Sequence, residues 1–234
     1  MRVNLASSNP ALLSIMEQPD QMITLDANFL IPPQRSRITS LGFDFETFRK
    51  LWLDPVFSAF PNLAIHEAVL DELIESSTRQ YADEMLNSCP PRLQVHRDST
   101  LTKAERMLRD AIERRIYPLT RYDPLWDNRD DRGEVKTLAY IAAKGLLYFA
   151  AHDSNALKLI ENAEKWSTGL DNVQAIRMYE IIFYLYTHGL ADRRGLKMLY
   201  KYRYYLTDRE KESNPGWGHF IESMDKLYGS TGAK

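Results

Sequence analysis

Apolar residues fall along this chain in two patterns, short unbroken runs that suit strands and stripes at three-to-four spacing that suit helices. Met22-Ile23-Thr24-Leu25 is a brief apolar run ending at Asp26, and Asn62-Leu63-Ala64-Ile65-His66 is a second. Leu146 to Ala151 is apolar without a break and leads into His152-Asp153, the pattern of a strand covered on both faces. Helical stripes lie between these runs. Phe45, Phe48, Leu51 and Trp52 share one face, and Asp54-Pro55 is expected to end that helix. Val69, Leu70, Leu73 and Ile74 mark a helix from Glu67 to Glu75. Thr102, with Glu105 three residues on, is a capping box opening a helix to about Ile116. Its expected buried face is Ala104, Met107, Leu108, Ala111 and Ile112. Glu134 to Lys144 is a helix stopped by Gly145, and Ala156 to Glu164 is another.

Punctuation divides the chain further. Pro10 opens a short helix after Ser8-Asn9, Pro32-Pro33 interrupts the chain after the first strand, and Tyr117 to Arg132 is a proline- and aspartate-rich loop. Strands alternating with helices predict an α/β fold with a parallel sheet. After Trp166 the pattern changes, because Gln174 to His188 and Arg194 to Leu206 are helical with no strand between them. The expected organisation is a helical lead-in over 1–21, an α/β domain over 22–165 and a C-terminal helical extension over 166–234.

Composition narrows the chemistry. At 44% hydrophobic and 26% charged residues, the chain has an ordinary globular balance. A net charge of −2 gives no bulk attraction to polyanions, so any nucleic-acid binding needs a local patch. The single cysteine, Cys89, excludes an intrachain disulfide and a multi-cysteine zinc site. No apolar run approaches the ~20 residues of a bilayer span, and Asn9, Pro10 and Glu17 interrupt any signal-like N-terminal stretch. No membrane partner and a cytoplasmic location are expected.

The candidate chemistry is carboxylate chemistry. Asp26 and Asp153 each end an apolar strand, Glu134 opens the helix that leads into the second of those strands, and Glu72 sits in an apolar helical stripe. Groups at the carboxyl ends of parallel strands converge on one rim. Clustered carboxylates repel one another unless a cation neutralises them, and hard Mg²⁺ or Mn²⁺ suits an all-oxygen set. Taken singly, each acid has a plainer reading as a turn, a cap or a solvated helix residue.

Four stretches together resemble the motifs of PIN-domain nucleases. Met22-Ile-Thr-Leu-Asp26-Ala-Asn28 is similar to the opening strand and Asp, and Ile65-His-Glu-Ala-Val-Leu-Asp-Glu72-Leu73 to the second motif. Gly133-Glu134 opening an alanine-rich helix resembles the third, and Leu147-Tyr-Phe-Ala-Ala-His-Asp153-Ser-Asn155 the fourth. The resemblance covers residues 22–165. It implies a PIN-like three-layer α/β/α fold with a mostly parallel sheet, followed here by C-terminal helices. It further implies a Mg²⁺- or Mn²⁺-dependent ribonuclease, with VapC-type toxins as the best-known bacterial members. Asp26, Glu72, Glu134 and Asp153 would be the catalytic, metal-holding acids, and Asn28 and Asn155 would position water or ligand. Asp130 or Asp131 could stand in for Glu134. A non-catalytic RNA- or protein-binding scaffold of the same fold is the alternative.

Other signals add less. His66-Glu67 lacks the second histidine of a zincin, since position 70 is leucine, and the five histidines are read as structural or exposed. Arg194, Lys197 and Lys201 share a helical face with Tyr200, Tyr202, Tyr204 and Tyr205 interleaved. The cations and Tyr204 are candidates for RNA contact. The alternative there is a solvated basic face with its tyrosines packed inward. Met178 to Tyr186 is apolar in nearly every helical direction, either buried by the last helices or an interface for a homodimer or antitoxin-like partner.

Overall fold

A computed structural model describes residues 2–36, 38, 39, 42–74, 76–152 and 155–229. The chain forms two compact units, one of Gln21–Ile31 with Pro61–Ile176, the other of Met1–Asp20, Pro32–Phe60 and Arg177–Lys234.

Among the described residues of the first unit, the strands are β1 (Ile23–Leu25), β2 (Leu63–His66), β3 (Leu93–His96), β4 (Tyr148–Ala151) and β5 (Gln174–Arg177). They form one parallel sheet flanked by helices, in the order β3-β2-β1-β4-β5. Every residue of β1, β2 and β4 is buried, which is why these strands carry apolar runs rather than alternation. Thr24 aligns with Ala64 on one side and Phe149 on the other. The chain starts at the central β1, moves outward through β2 and β3, then crosses back to β4 and β5. That reversal falls between β1 and β4, and in open α/β sheets ligands bind at the carboxyl ends of the strands at such a point. Asp26 stands at that end of β1, its N–H donating to the Ala150 carbonyl at 2.9 Å.

Several elements differ from the sequence expectation. β3 and the Ser76–Leu86 helix are not among the expected elements; β3 is an edge strand of mixed burial and so lacks the unbroken apolar run of β2 and β4. Gln174 to Arg177 pairs as β5 rather than opening the next helix, which begins at Met178. The Lys103–Ile116 helix has its expected capping box but not its expected buried face. It buries Ile112, Glu113 and Ile116, while Met107 and Leu108 are 66% and 48% exposed. Glu113 can be inside because Arg109 donates to it at 2.7 Å, so the seam follows a paired charge rather than the apolar count.

In the second unit the helix through Trp52 does not stop at Asp54-Pro55 but continues to Ala59. The Asp54 N–H reaches back five residues to the Arg49 carbonyl, a widened turn at the site where Pro55 would otherwise crowd the preceding turn. The Met178–Thr187 helix is the centre of this unit, and Met178 through Leu185 are all buried. Tyr184 packs on Phe60 and Phe183 on Tyr228, with ring centroids 4.9 and 5.8 Å apart. The helix is therefore covered by its own unit, the first of the two readings of Met178 to Tyr186. Among the described residues no helix is long and apolar enough to cross a membrane.

Candidate functional site

Three of the four acids singled out from sequence come together at the carboxyl rim of the sheet. Asp26 follows β1 directly and is 2% exposed. Asn28 Nδ2 donates to its Oδ2 at 2.8 Å. Burial pushes the Asp26 carboxyl above the ordinary range despite that bond, and the charge of Asp131 adds to the push.

Glu72 is the last residue of the Glu67–Glu72 helix, half-buried, and accepts the Gly133 N–H at 2.7 Å. Its carboxyl is pushed up to about 7, first by burial and then by the charges of Asp26 and Asp131. Glu134 lies in the first turn of the Arg132–Lys144 helix and accepts the Ala156 N–H at 3.1 Å. Burial raises it to about 9, with Asp26, Asp131 and Glu72 each contributing.

Asp131 belongs to this group. It precedes the helix in a left-handed conformation (φ 57°) and accepts the Arg121 N–H at 3.0 Å and the Asn155 side chain at 3.2 Å. Asp130 is exposed. Asp153 lies outside the described residues. Asn28 and Asn155, expected to position water or ligand, each donate to a carboxylate of this cluster.

Among the described residues none of Asp26, Glu72 and Glu134 is ion-paired. Nor do these three bring ligand oxygens within 4.8 Å of one another. As they stand, the three acids are a loosely spaced carboxylate set, with Asp26 buried and Glu72 and Glu134 half-buried.

Gly133 sets the spacing between the two glutamates. A Cβ there would sit 2.7 Å from both Glu72 carboxylate oxygens. Gly133→Ala is expected to displace the Glu72 carboxylate without removing any acid. Metal affinity, read by Mn²⁺ titration, should fall roughly 10- to 100-fold, the usual effect of losing a group that orients a ligand. Unchanged Mn²⁺ affinity in the folded variant would mean that Glu72 is not part of the site.

A second group lies at the ends of β2 and β3. His66, Glu67 and Asp98 place ligand atoms within 4.8 Å of one another and could hold a metal ion. The group is already satisfied by the protein, however. His66 Nδ1 accepts the Ala68 N–H at 3.1 Å and Nε2 lies 3.4 Å from Asp98, while Asp98 also pairs with Arg109 at 3.0 Å. Burial works against ionising Asp98, but the His66 bond and the nearby Arg109 and Lys136 charges outweigh it and hold the carboxyl below its usual range. His96, held at about 4 by burial and then by His66, stacks on Tyr140 and meets Thr24 Oγ1 at 3.0 Å, a structural histidine.

Two polar cavities open on this rim. One of about 300 Å³ runs past His66 and Asp98 and is lined by Arg79, Arg97, Arg132 and Lys136. The other, about 320 Å³, is lined by Asp71, Glu72, Asp127, Arg129 and Arg132. The sequence pointed instead to cations in the second unit. Arg194, Lys197 and Lys201 are exposed on the Arg193–Tyr204 helix, but Tyr204 is fully buried against Tyr179 and Tyr200. A side chain so enclosed cannot stack on a base, so Tyr204 is withdrawn as an RNA contact.

Sequence reasoning missed Gly133, the Arg132–Lys136 cation pair and the partnership of His66 with Asp98. Only Gly133, adjoining Glu134 in a first helical turn, left a local sign. In comparisons with protein-family models, curated proteins and solved structures, nothing matches this chain.

Proposed function

We propose that this protein is a metal-dependent ribonuclease with a PIN-like fold, its site built on Asp26, Glu72, Glu134 and the neighbouring Asp131. The observation that carries the reading is a cluster of buried and half-buried carboxylates, each raised by burial and then by its neighbours and none of Asp26, Glu72 and Glu134 ion-paired among the described residues, at the carboxyl ends of strands where the sheet reverses direction. Unpaired buried charge is costly, and an oxygen-only donor set matches Mg²⁺ or Mn²⁺. Asp153, two positions after Ala151 in the sequence, completes the proposed set by that place alone.

When bound, such an ion activates water and stabilises charge building up on a phosphodiester. The chain's own groups do the positioning. The Gly133 and Ala156 N–H groups orient Glu72 and Glu134, and Asn28 fixes Asp26. Burial and neighbouring charge raise Glu134 to about 9 and Glu72 to about 7, and both would have to be deprotonated to hold a cation. Arg129, lining the cavity beside Glu72, supplies positive charge for the substrate's phosphates, while Arg132 is paired with Asp127 and Asp71.

The deciding experiment is cleavage of a mixed pool of single-stranded RNA by the folded chain with Mn²⁺ or Mg²⁺, against the same reaction in EDTA. Divalent-dependent cleavage is the expected result. Binding without cleavage under any divalent ion would replace the enzyme with an RNA-binding scaffold.

A further inference from the structure

We infer that Trp126 is a base-stacking platform for single-stranded RNA reaching the carboxylate site, with Arg129 holding the adjoining phosphate. The inference rests on the nuclease reading and names how its substrate is held.

Trp126 and Leu125 are 82% and 91% exposed, on the loop that joins the Lys103–Ile116 and Arg132–Lys144 helices. An exposed tryptophan on a slack loop would mean little, but this loop is tied at every turn. Asn128 accepts the Asp123 N–H at 2.6 Å and donates to the Arg121 carbonyl at 2.9 Å. Arg121 in turn donates to Asp131 of the acidic cluster at 3.0 Å. Asp127, immediately after the tryptophan, sits in the left-handed region at φ 43°. A non-glycine residue stays there only when its surroundings hold it. Asp127 is held by the Tyr122 hydroxyl at 2.9 Å and Arg132 Nε at 3.0 Å, so the chain is fixed with the indole turned outward.

The residues that follow lead into the site. Asp127, Arg129 and Arg132 line the same cavity as Glu72. Arg132 is occupied by Asp127, whereas Arg129 is exposed and has no ion-pair partner among the described residues. A rigid aromatic face at Trp126, an uncommitted guanidinium at Arg129 and two acids of the cluster, Asp131 and Glu134, thus occur within a short stretch of chain. They match in turn a base, a phosphate and a metal-bound phosphodiester. A duplex keeps its base faces stacked internally, so the ligand that fits is single-stranded.

The test uses the full chain in EDTA, where cleavage is blocked, with a single-stranded oligouridine as probe and tryptophan fluorescence and anisotropy as readouts. Wild type is expected to bind with quenching. Trp126→Ala should weaken binding roughly 5- to 150-fold, the equivalent of losing one base stack. Trp126→Phe should keep most of the affinity and lose the quench, leaving Trp52, Trp166 and Trp217 as the remaining indoles. Arg129→Ala should make the salt dependence shallower by about 0.7.

The two readings fail separately. If no divalent ion gives cleavage but Trp126→Ala still weakens oligouridine binding, the platform stands and the nuclease falls. Equal affinity and equal quenching in wild type and Trp126→Ala overturn the platform, as does absence of oligouridine binding by wild type. A Trp126→Ala protein that binds RNA normally but loses a protein partner would reassign Leu125 and Trp126 to a protein contact.

Discussion

Asp26→Asn is expected to cut Mn²⁺-dependent RNA cleavage by more than about a hundredfold, beyond the 10- to 100-fold typical of removing a group that merely orients a ligand. The substitution is close to isosteric, and the amide carbonyl it introduces can still accept from Asn28 as the Asp26 carboxylate does at 2.8 Å. What changes is a full charge at the most buried member of the cluster. The remaining acids then attract a divalent cation less strongly, so the Mn²⁺-induced rise in melting temperature should shrink along with activity. Without metal the variant should be at least as stable as wild type, because Asp26 raises both Glu72 and Glu134. Cleavage at the wild-type rate by a pure, folded Asp26→Asn protein would remove the site from consideration.

The second large effect concerns stability and pH. Burial and neighbouring charge lift the Glu134 carboxyl from an ordinary 4.5 to about 9. The folded chain therefore holds this proton more tightly than the unfolded chain does. Below about pH 4.5 both states are protonated and the group contributes no pH dependence. As pH climbs from there to about 9, the unfolded state gives up the proton first, and the metal-free fold loses stability steadily.

Glu134→Gln removes this titration. The metal-free variant is expected to be more stable than wild type at pH 8 by an order of a few kcal/mol. That corresponds to a gain of roughly 5–10 °C in melting temperature for a protein of this size, with little gain at pH 5. Saturating Mn²⁺ should reverse the order at pH 8, since only wild type keeps the ligand charge. Thermal melts of both proteins at pH 5 and pH 8, each in EDTA and in Mn²⁺, give the full comparison. A metal-free difference independent of pH would show that Glu134 is not held protonated by its surroundings.

The carboxylate cluster and the fold around it were legible in the chain to different extents. Asp26 could be placed because it ends an apolar run, and Glu134 because it opens a helix whose stop at Gly145 is equally clear. Gly145 does end that helix in the left-handed conformation, at φ 67°, and Thr102 and Glu105 do form their reciprocal cap. These features depend on residues within one or two turns of each other, so the sequence alone carries them. The α/β class follows from the same local patterns, since strands buried on both faces must be apolar throughout.

The tertiary structure decided what local pattern cannot reach. Strand order places the Asp26 N–H on the Ala150 carbonyl and so sets Asp26 where the sheet reverses between β1 and β4. β3 and β5 are edge strands of mixed burial, so they lack the unbroken apolar run that marks the equally short β2 and β4, and only pairing defines them. The tyrosines of the Arg193–Tyr204 helix alternate with cations as an RNA surface would, yet Tyr200 stacks on Phe220 at 4.3 Å inside the unit. Glu113 is buried because Arg109 meets it, and Glu72 meets a backbone N–H 61 residues away at Gly133. A polar group's burial depends on whether a partner satisfies it, and a partner dozens of residues distant is visible only once the chain has folded.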